Sequence, residues 1–165
     1  MAAQLEEMTM RSIGILSGLF LALAVALPVA AGGNPGTISV TTTWHDAPES
    51  QTGINPCTGH LVTANLTSNG VEHLTFFENG DEYWYTLTDT STVTATDGDI
   101  AITGHSTFWV NGNWNERNQN MTVTFEIQAR GSDGSKIRIS EVAHIALNAV
   151  GDVTVSFDMV KATCR

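Results

Sequence analysis

From Met121 to Arg130 the chain alternates without a break: Met121, Val123, Phe125, Ile127 and Ala129 are apolar, whereas Thr122, Thr124, Glu126, Gln128 and Arg130 are polar. A period of two puts one set on a buried face and the other in water, which is the signature of a half-buried strand. No stretch after residue 33 has the i, i+3, i+4, i+7 spacing of a helix, so an all-β domain is expected. The same alternation runs through Thr37–His45, where Ile38, Val40 and Trp44 oppose Ser39, Thr41 and Thr43. It recurs along Val153–Ala162, whose Val153, Val155, Phe157 and Met159 are expected to share a face. Further strands are expected at about 60–67, 71–78, 82–88, 91–96, 100–110 and 136–147. "SNG", "ENGD", "DGD", "VNGN", "GSDGS" and "NAVGD" serve as turns between them, because Asn-Gly suits the positive φ of tight hairpins. Roughly eight strands joined by short turns predict a single antiparallel up-and-down barrel, which leaves no exposed edge. A two-sheet sandwich is the alternative, since alternation alone does not separate the two.

The N-terminus carries a different pattern. Arg11 precedes the apolar run "IGILSGLFLALAVAL" and the small-residue stretch "PVAAGG", the layout of a signal peptide. Val29 and Ala31 occupy the small-residue cleavage positions, so residues 1–31 are expected to be removed after Ala31, with Ala30 the near alternative. The run of about 15 residues is shorter than the roughly 20 that a spanning helix needs. The acidic "QLEE" suits an n-region poorly, which points to a start at Met8 or Met10. Residues 32–165 are then one exported domain, long enough to bury a core.

Without Arg11, Glu6 and Glu7, the 7 basic and 17 acidic residues become 6 and 15, a net charge near −9. Unclustered cations in an acidic chain argue against nucleic acid and against anionic lipid as partners, leaving a secreted protein with no membrane association after cleavage.

Only two cysteines are present, Cys57 in "GINPCTGHLV" and Cys164 next to the C-terminus. Cys57 and His60 are two potential metal ligands, but a metal centre needs at least three convergent donors and no second Cys or His pair follows at ligand spacing. In an oxidising compartment the expected outcome is a Cys57–Cys164 disulfide, with no metal and no cofactor.

At "NPCTGHLV" and at "HIALNAVGDVTVSFDMVKATC" the chain resembles a group of uncharacterised secreted β-barrel proteins of actinobacteria. These share an N-P-C-x-G-E start to the second strand, an N-A-x-G-E/D-V-T-V hairpin near the end and a closing cysteine. The resemblance covers about the last 110 residues and implies a fold and a staple, without a reaction. His60 stands where the group has Glu. A more distant likeness is to calycin-type barrels, including allene oxide cyclase, with no catalytic residue matched.

Chemistry is sparse. The five histidines, His45, His60, His73, His105 and His144, show no ligand spacing. His105 shares its strand face with Thr103, Thr107 and Trp109 and is expected in solvent. No G-x-S-x-G elbow occurs, and "TDGDI" and "GSDGS" lack the carboxylates of a calcium loop. Asn65 and Asn120 begin glycosylation sequons, relevant only in a eukaryotic secretory pathway. One residue breaks the pattern: on the face Ile137, Ile139, Glu141, Ala143, Ile145, Leu147, a carboxylate stands among apolar neighbours. A regular strand buries Glu141, and a bulge at Ser140–Glu141 turns it out. Buried, it is the candidate acid/base residue.

"FFENGDEYWY" places five aromatic residues in one hairpin, with Tyr83 and Tyr85 on one face and Trp84 on the other. Trp109 and Trp114 flank "VNGN". Tyr83, Tyr85, Trp109 and Trp114 are the candidate binding residues, and packing around a barrel mouth is the alternative use for such rings. Three functions follow: a non-enzymatic binder of a small apolar ligand or a partner protein; an isomerase or cyclase working through Glu141; and an extracellular interaction or inhibitor protein.

Overall fold

The computed structural model describes residues 36–77 and 82–165. The expected signal peptide with its cleavage site, and the "ENGD" turn, lie outside the described residues. The rest is all-β, with seven antiparallel strands: β1 (Thr37–Ile54), β2 (Leu61–Phe77), β3 (Tyr83–Asp97), β4 (Ile100–Trp114), β5 (Asn118–Gly131), β6 (Lys136–Asn148) and β7 (Val153–Cys164). They form one sheet in the order β1-β2-β3-β4-β5-β6-β7, so each strand pairs with its neighbour in sequence and β1 and β7 are the edges.

Seven long strands replace the roughly eight shorter ones expected, because two expected breaks, at 68–70 and at 89–90, run through as ladder, and the expected "VNGN" turn lies within a strand. At Ser68-Asn69-Gly70 the chain stays extended. Asn69 Oδ1 accepts from the Asp46 amide (3.1 Å), where β1 bulges and Asp46 takes a φ of 49°. Gly70 leaves the space that the Trp44 ring fills. The polar stretch after His45 accordingly belongs to β1 rather than to a loop. Asn-Gly in "VNGN" is likewise inside β4, where Gly112 makes room for the ring of Trp114. The turn falls later, at Asn115, whose Oδ1 accepts from the amides of Arg117 and Asn118, both at 2.9 Å. The stretch from Thr88 to Ser91 continues β3 without interruption.

Pairing aligns one face across all strands. Leu66, Val93, Gly104, Ala129, Ile137 and Cys164 form one cross-strand row, and Glu72, Leu87, Val110, Val123, Ala143 and Asp158 another. The buried apolar residues Val93, Ile102, Val110, Val123 and Ile137 all lie on this face. A single sheet buries one face only by curling over it. The disulfide requires the same, because strands stand about 4.8 Å apart and a flat sheet would hold β7 roughly 24 Å from β2. Cys57, in the β1–β2 connection, and Cys164, at the end of β7, are joined at a Cα–Cα distance of 5.7 Å.

The expectation for β7 needs correction. Val153 pairs with Leu147 on the buried face, but Val155 pairs with Ala146 across a register shift, and Phe157 and Met159 follow it onto the outer face. One extra residue, Thr154, reverses the parity of everything after it. Phe157 stacks on His144 outside (5.7 Å between centroids), while Ser156, Asp158 and Val160 face inward.

Candidate functional site

The disulfide end is built by "NPCTGH". Asn55 is buried, and its Oδ1 accepts from the Cys57 amide (3.0 Å). Gly59, at φ 78°, donates its amide to the Asn55 carbonyl (2.8 Å) and closes the turn. His60 lies in this connection rather than on a strand, and its Nδ1 is 2.7 Å from Asp97 Oδ1. Asp97 also accepts from Thr58 Oγ1 (2.6 Å) and Asn55 Nδ2 (2.7 Å). These bonds, led by that from Thr58 and then that from His60, hold the Asp97 carboxyl below its ordinary range. Cys57 is therefore occupied by a disulfide and His60 by a carboxylate. A half-open cavity of about 340 Å³ beside them has an apolar floor of Ile100, Ile102 and Ile137, with Asp133 and Arg165 among its lining residues.

The opposite end is aromatic. Tyr83 pairs with Phe76 on one side and Trp114 on the other, all on the buried face. The Tyr83 and Trp114 rings stack at 4.6 Å and 9°. Tyr85 lies one row deeper, and burial, followed by the charge of Glu72 and a hydrogen bond to it, pushes its hydroxyl up to about 12. Three of the four aromatic residues singled out from the sequence thus share one surface. Trp109 does not: it pairs with Thr88 and Thr124 on the outer face, as does His105 with Thr92 and Gln128, and both are exposed. At this end the buried face is left uncovered, with Ile38 59%, Phe76 43% and Val153 57% exposed although they share the face that forms the core elsewhere.

Midway between the ends, β6 runs through Ser140 and Glu141 in continuous register, without the bulge that would turn Glu141 out. Glu141 sits opposite Phe125 and is 5% exposed. No described group donates a hydrogen bond to it, and its oxygens keep a narrow contact with solvent. Burial, then the charge of Asp158, raises its pKa. Such a raised group adds stability below its ordinary value of 4.5 that is lost as pH climbs through the folded value. Glu141→Leu is therefore expected to leave the fold intact and be neutral or up to about 1 kcal/mol more stable at neutral pH, solvent screening limiting the gain. The difference should shrink as pH falls toward the ordinary carboxylate range, which denaturant titrations at several pH values would measure.

Sequence reasoning missed Glu72, Asp97 and Asp158. The first two share strand parity with core residues and were legible on that ground; Asp158 reaches the buried face only through the Thr154 bulge. Among the described residues, no three His, Cys, Asp or Glu side chains converge to hold a metal ion. No described helix is long and apolar enough to cross a membrane, and the disulfide is compatible with an extracellular setting. Comparison with protein-family models, curated proteins and solved structures finds no match.

Proposed function

We propose that the chain is an exported, non-enzymatic binding protein whose ligand, a small molecule with an apolar body, seats on the buried face at the aromatic end. The observation that carries this reading is the uncovered part of that face: Ile38, Phe76 and Val153 stand open beside the Tyr83–Trp114 stack. Apolar surface on a concave, core-forming face lowers its free energy when a ligand covers it, at roughly 25 cal/mol per Å². The likeness to secreted actinobacterial barrels agrees with export but supplies no ligand. The reading of Glu141 as an isomerase or cyclase acid/base draws on its burial and raised pKa. An interaction role draws on the unpaired edge of β7.

Titration with decanol, a neutral apolar probe, tests the binding reading. Saturable binding is expected, with a shift in tryptophan emission, and Trp114→Ala should weaken it about tenfold through lost aromatic contact. Melting curves would confirm that the variant is folded. Absence of saturable binding to the wild-type protein would contradict the reading.

A further inference from the structure

Charge is segregated across this sheet. The strand cations Arg130, Lys136, Arg138 and Lys161, and the ladder-paired histidines His73, His105 and His144, all lie on the outer face, while His45 is exposed at the β1 bulge. Of the strand carboxylates, Glu126 is outside and pairs with Arg138 (3.2 Å), and Asp46 sits at the β1 bulge. Glu49, Glu72, Asp89, Asp97, Glu141 and Asp158 point to the side of the sheet that carries the core, where Glu49 and Asp158 are exposed to solvent. Among the described residues, none of these six forms an ion pair with a Lys or Arg.

Four of these six are answered by neutral donors or by a turn histidine. Gln51 donates to Glu49 (2.9 Å), Trp44 Nε1 (2.8 Å) and Ser91 (2.7 Å) donate to Asp89, and Glu72 has the Tyr85 hydroxyl close by. Asp97 has Asn55, Thr58 and His60. Glu141 and Asp158 have no such partner among the described residues. They are diagonal neighbours across β6 and β7, since Glu141 pairs with Val160 and Asp158 with Ala143. Glu141, 5% exposed with only a narrow contact to solvent and no protein donor, stands beside the exposed Asp158, and a carboxylate so placed is stabilised when a cation joins the pair.

Resting on the binding reading above, we infer that the ligand carries an organic ammonium group, held between Glu141 and Asp158, with its apolar body directed toward Tyr83 and Trp114. A bare metal ion is the poorer match, because no three donors converge. Geometry sets the length. Along β6, Leu147 marks the aromatic row, Ala143 the row of Asp158 and position 141 the row of Glu141. At about 3.3 Å per residue these rows lie roughly 13 and 20 Å from the aromatic end, so an extended ten-carbon amine spans from the Asp158 row to the aromatic row. The aromatic faces along the way tolerate a passing ammonium group.

The test compares three probes of one chain length, decylammonium, decanol and decanoate, by calorimetry near neutral pH and below their micelle thresholds. Decylammonium is expected to bind at least about tenfold tighter than decanol, the scale of a charge-assisted hydrogen bond to a buried carboxylate, and decanoate more weakly than either. In Glu141→Gln/Asp158→Asn, which keeps side-chain shape, the preference should fall below about threefold while decanol affinity is unchanged. Equal binding of amine and alcohol to the wild-type protein would overturn the inference while leaving the apolar site standing. A preference that survives the double replacement would overturn it as well. Failure of both probes to bind would instead remove the binding reading. Should the double variant not fold, Glu141→Gln alone decides, with a fall of threefold or more in the amine preference expected and an unchanged preference contradicting the assignment.

Discussion

Replacing both cysteines, Cys57→Ser with Cys164→Ser, is expected to lower stability by about 3–5 kcal/mol, one of the two largest losses any replacement in this chain should produce. The two residues are 107 positions apart, and on the chain-entropy account a loop of that length restricts the unfolded chain by up to roughly 4.7 kcal/mol. The native sheet reinforces the argument. The β1–β2 connection and the end of β7 belong to opposite sides of a seven-stranded sheet whose edges are not paired to each other. At the disulfide end, the covalent link is what keeps them together over Ile100, Ile102 and Ile137. For a domain of this size the melting temperature should fall by about 10–20 °C. Reduction of the wild-type protein should reproduce most of that shift. A loss below about 1 kcal/mol would mean that side-chain packing alone holds the curl.

The second large effect is expected at Gly104. A methyl group there would overlap the Gln128 carbonyl oxygen and stand 2.6 Å from Ala129 Cα and 2.7 Å from Ala129 Cβ. The obstruction is the backbone and Cβ of β5, which no rotamer change clears, so β4 and β5 would have to separate in the row that holds Val93 and Ile137. Gly104→Ala is expected to cost about 3 kcal/mol or more. Gly53→Ala is the matched control, because nothing lies within 4 Å of its added methyl. It should change stability by less than about 0.5 kcal/mol or raise it slightly by restricting the unfolded chain. Chemical denaturation of the two variants side by side separates a close approach of strands from a general dislike of side chains at glycine positions.

How much of this was legible in the sequence depends on whether the determining contact is local. The β5 alternation from Met121 to Arg130 is a property of one strand, and its faces fall as read. Glu141 was visible as a parity violation in the same way, and only the choice between a bulge and a regular strand stayed open. The disulfide followed from there being just two cysteines in a chain read as exported. Asn-Gly misled twice, because its use depends on the neighbouring strand: in β2 the pair receives the bulge and the ring of β1, and in β4 it receives a ring two residues along. The reversal of β7 is wholly non-local. Its apolar alternation is real, but a single unpaired residue opposite the Ala146–Leu147 step decides which way it faces. That reversal hides Asp158 from a reading of β7 alone. His60 and Asp97, 37 positions apart, illustrate the same limit, since no spacing rule predicts a partner supplied by another turn.

The apolar residues outside pose a complementary point. Val155, Phe157 and Met159 are exposed on the outer face of an edge strand, as is Trp109 on β4. Exposed aromatic and aliphatic side chains attract apolar probes wherever they stand. Affinity alone therefore does not establish which face is used.

The most direct measurement is a nuclear magnetic resonance map of the wild-type protein titrated with decanol and with decylammonium. If the buried face is the ligand site, both probes should shift resonances of Tyr83, Tyr85, Trp114 and Ile145, and decylammonium should add shifts at Glu141 and Asp158. Shifts confined to Trp84, Trp109 and Phe157 on the outer face, or to Ile100 and Ile137 at the disulfide end, would contradict it.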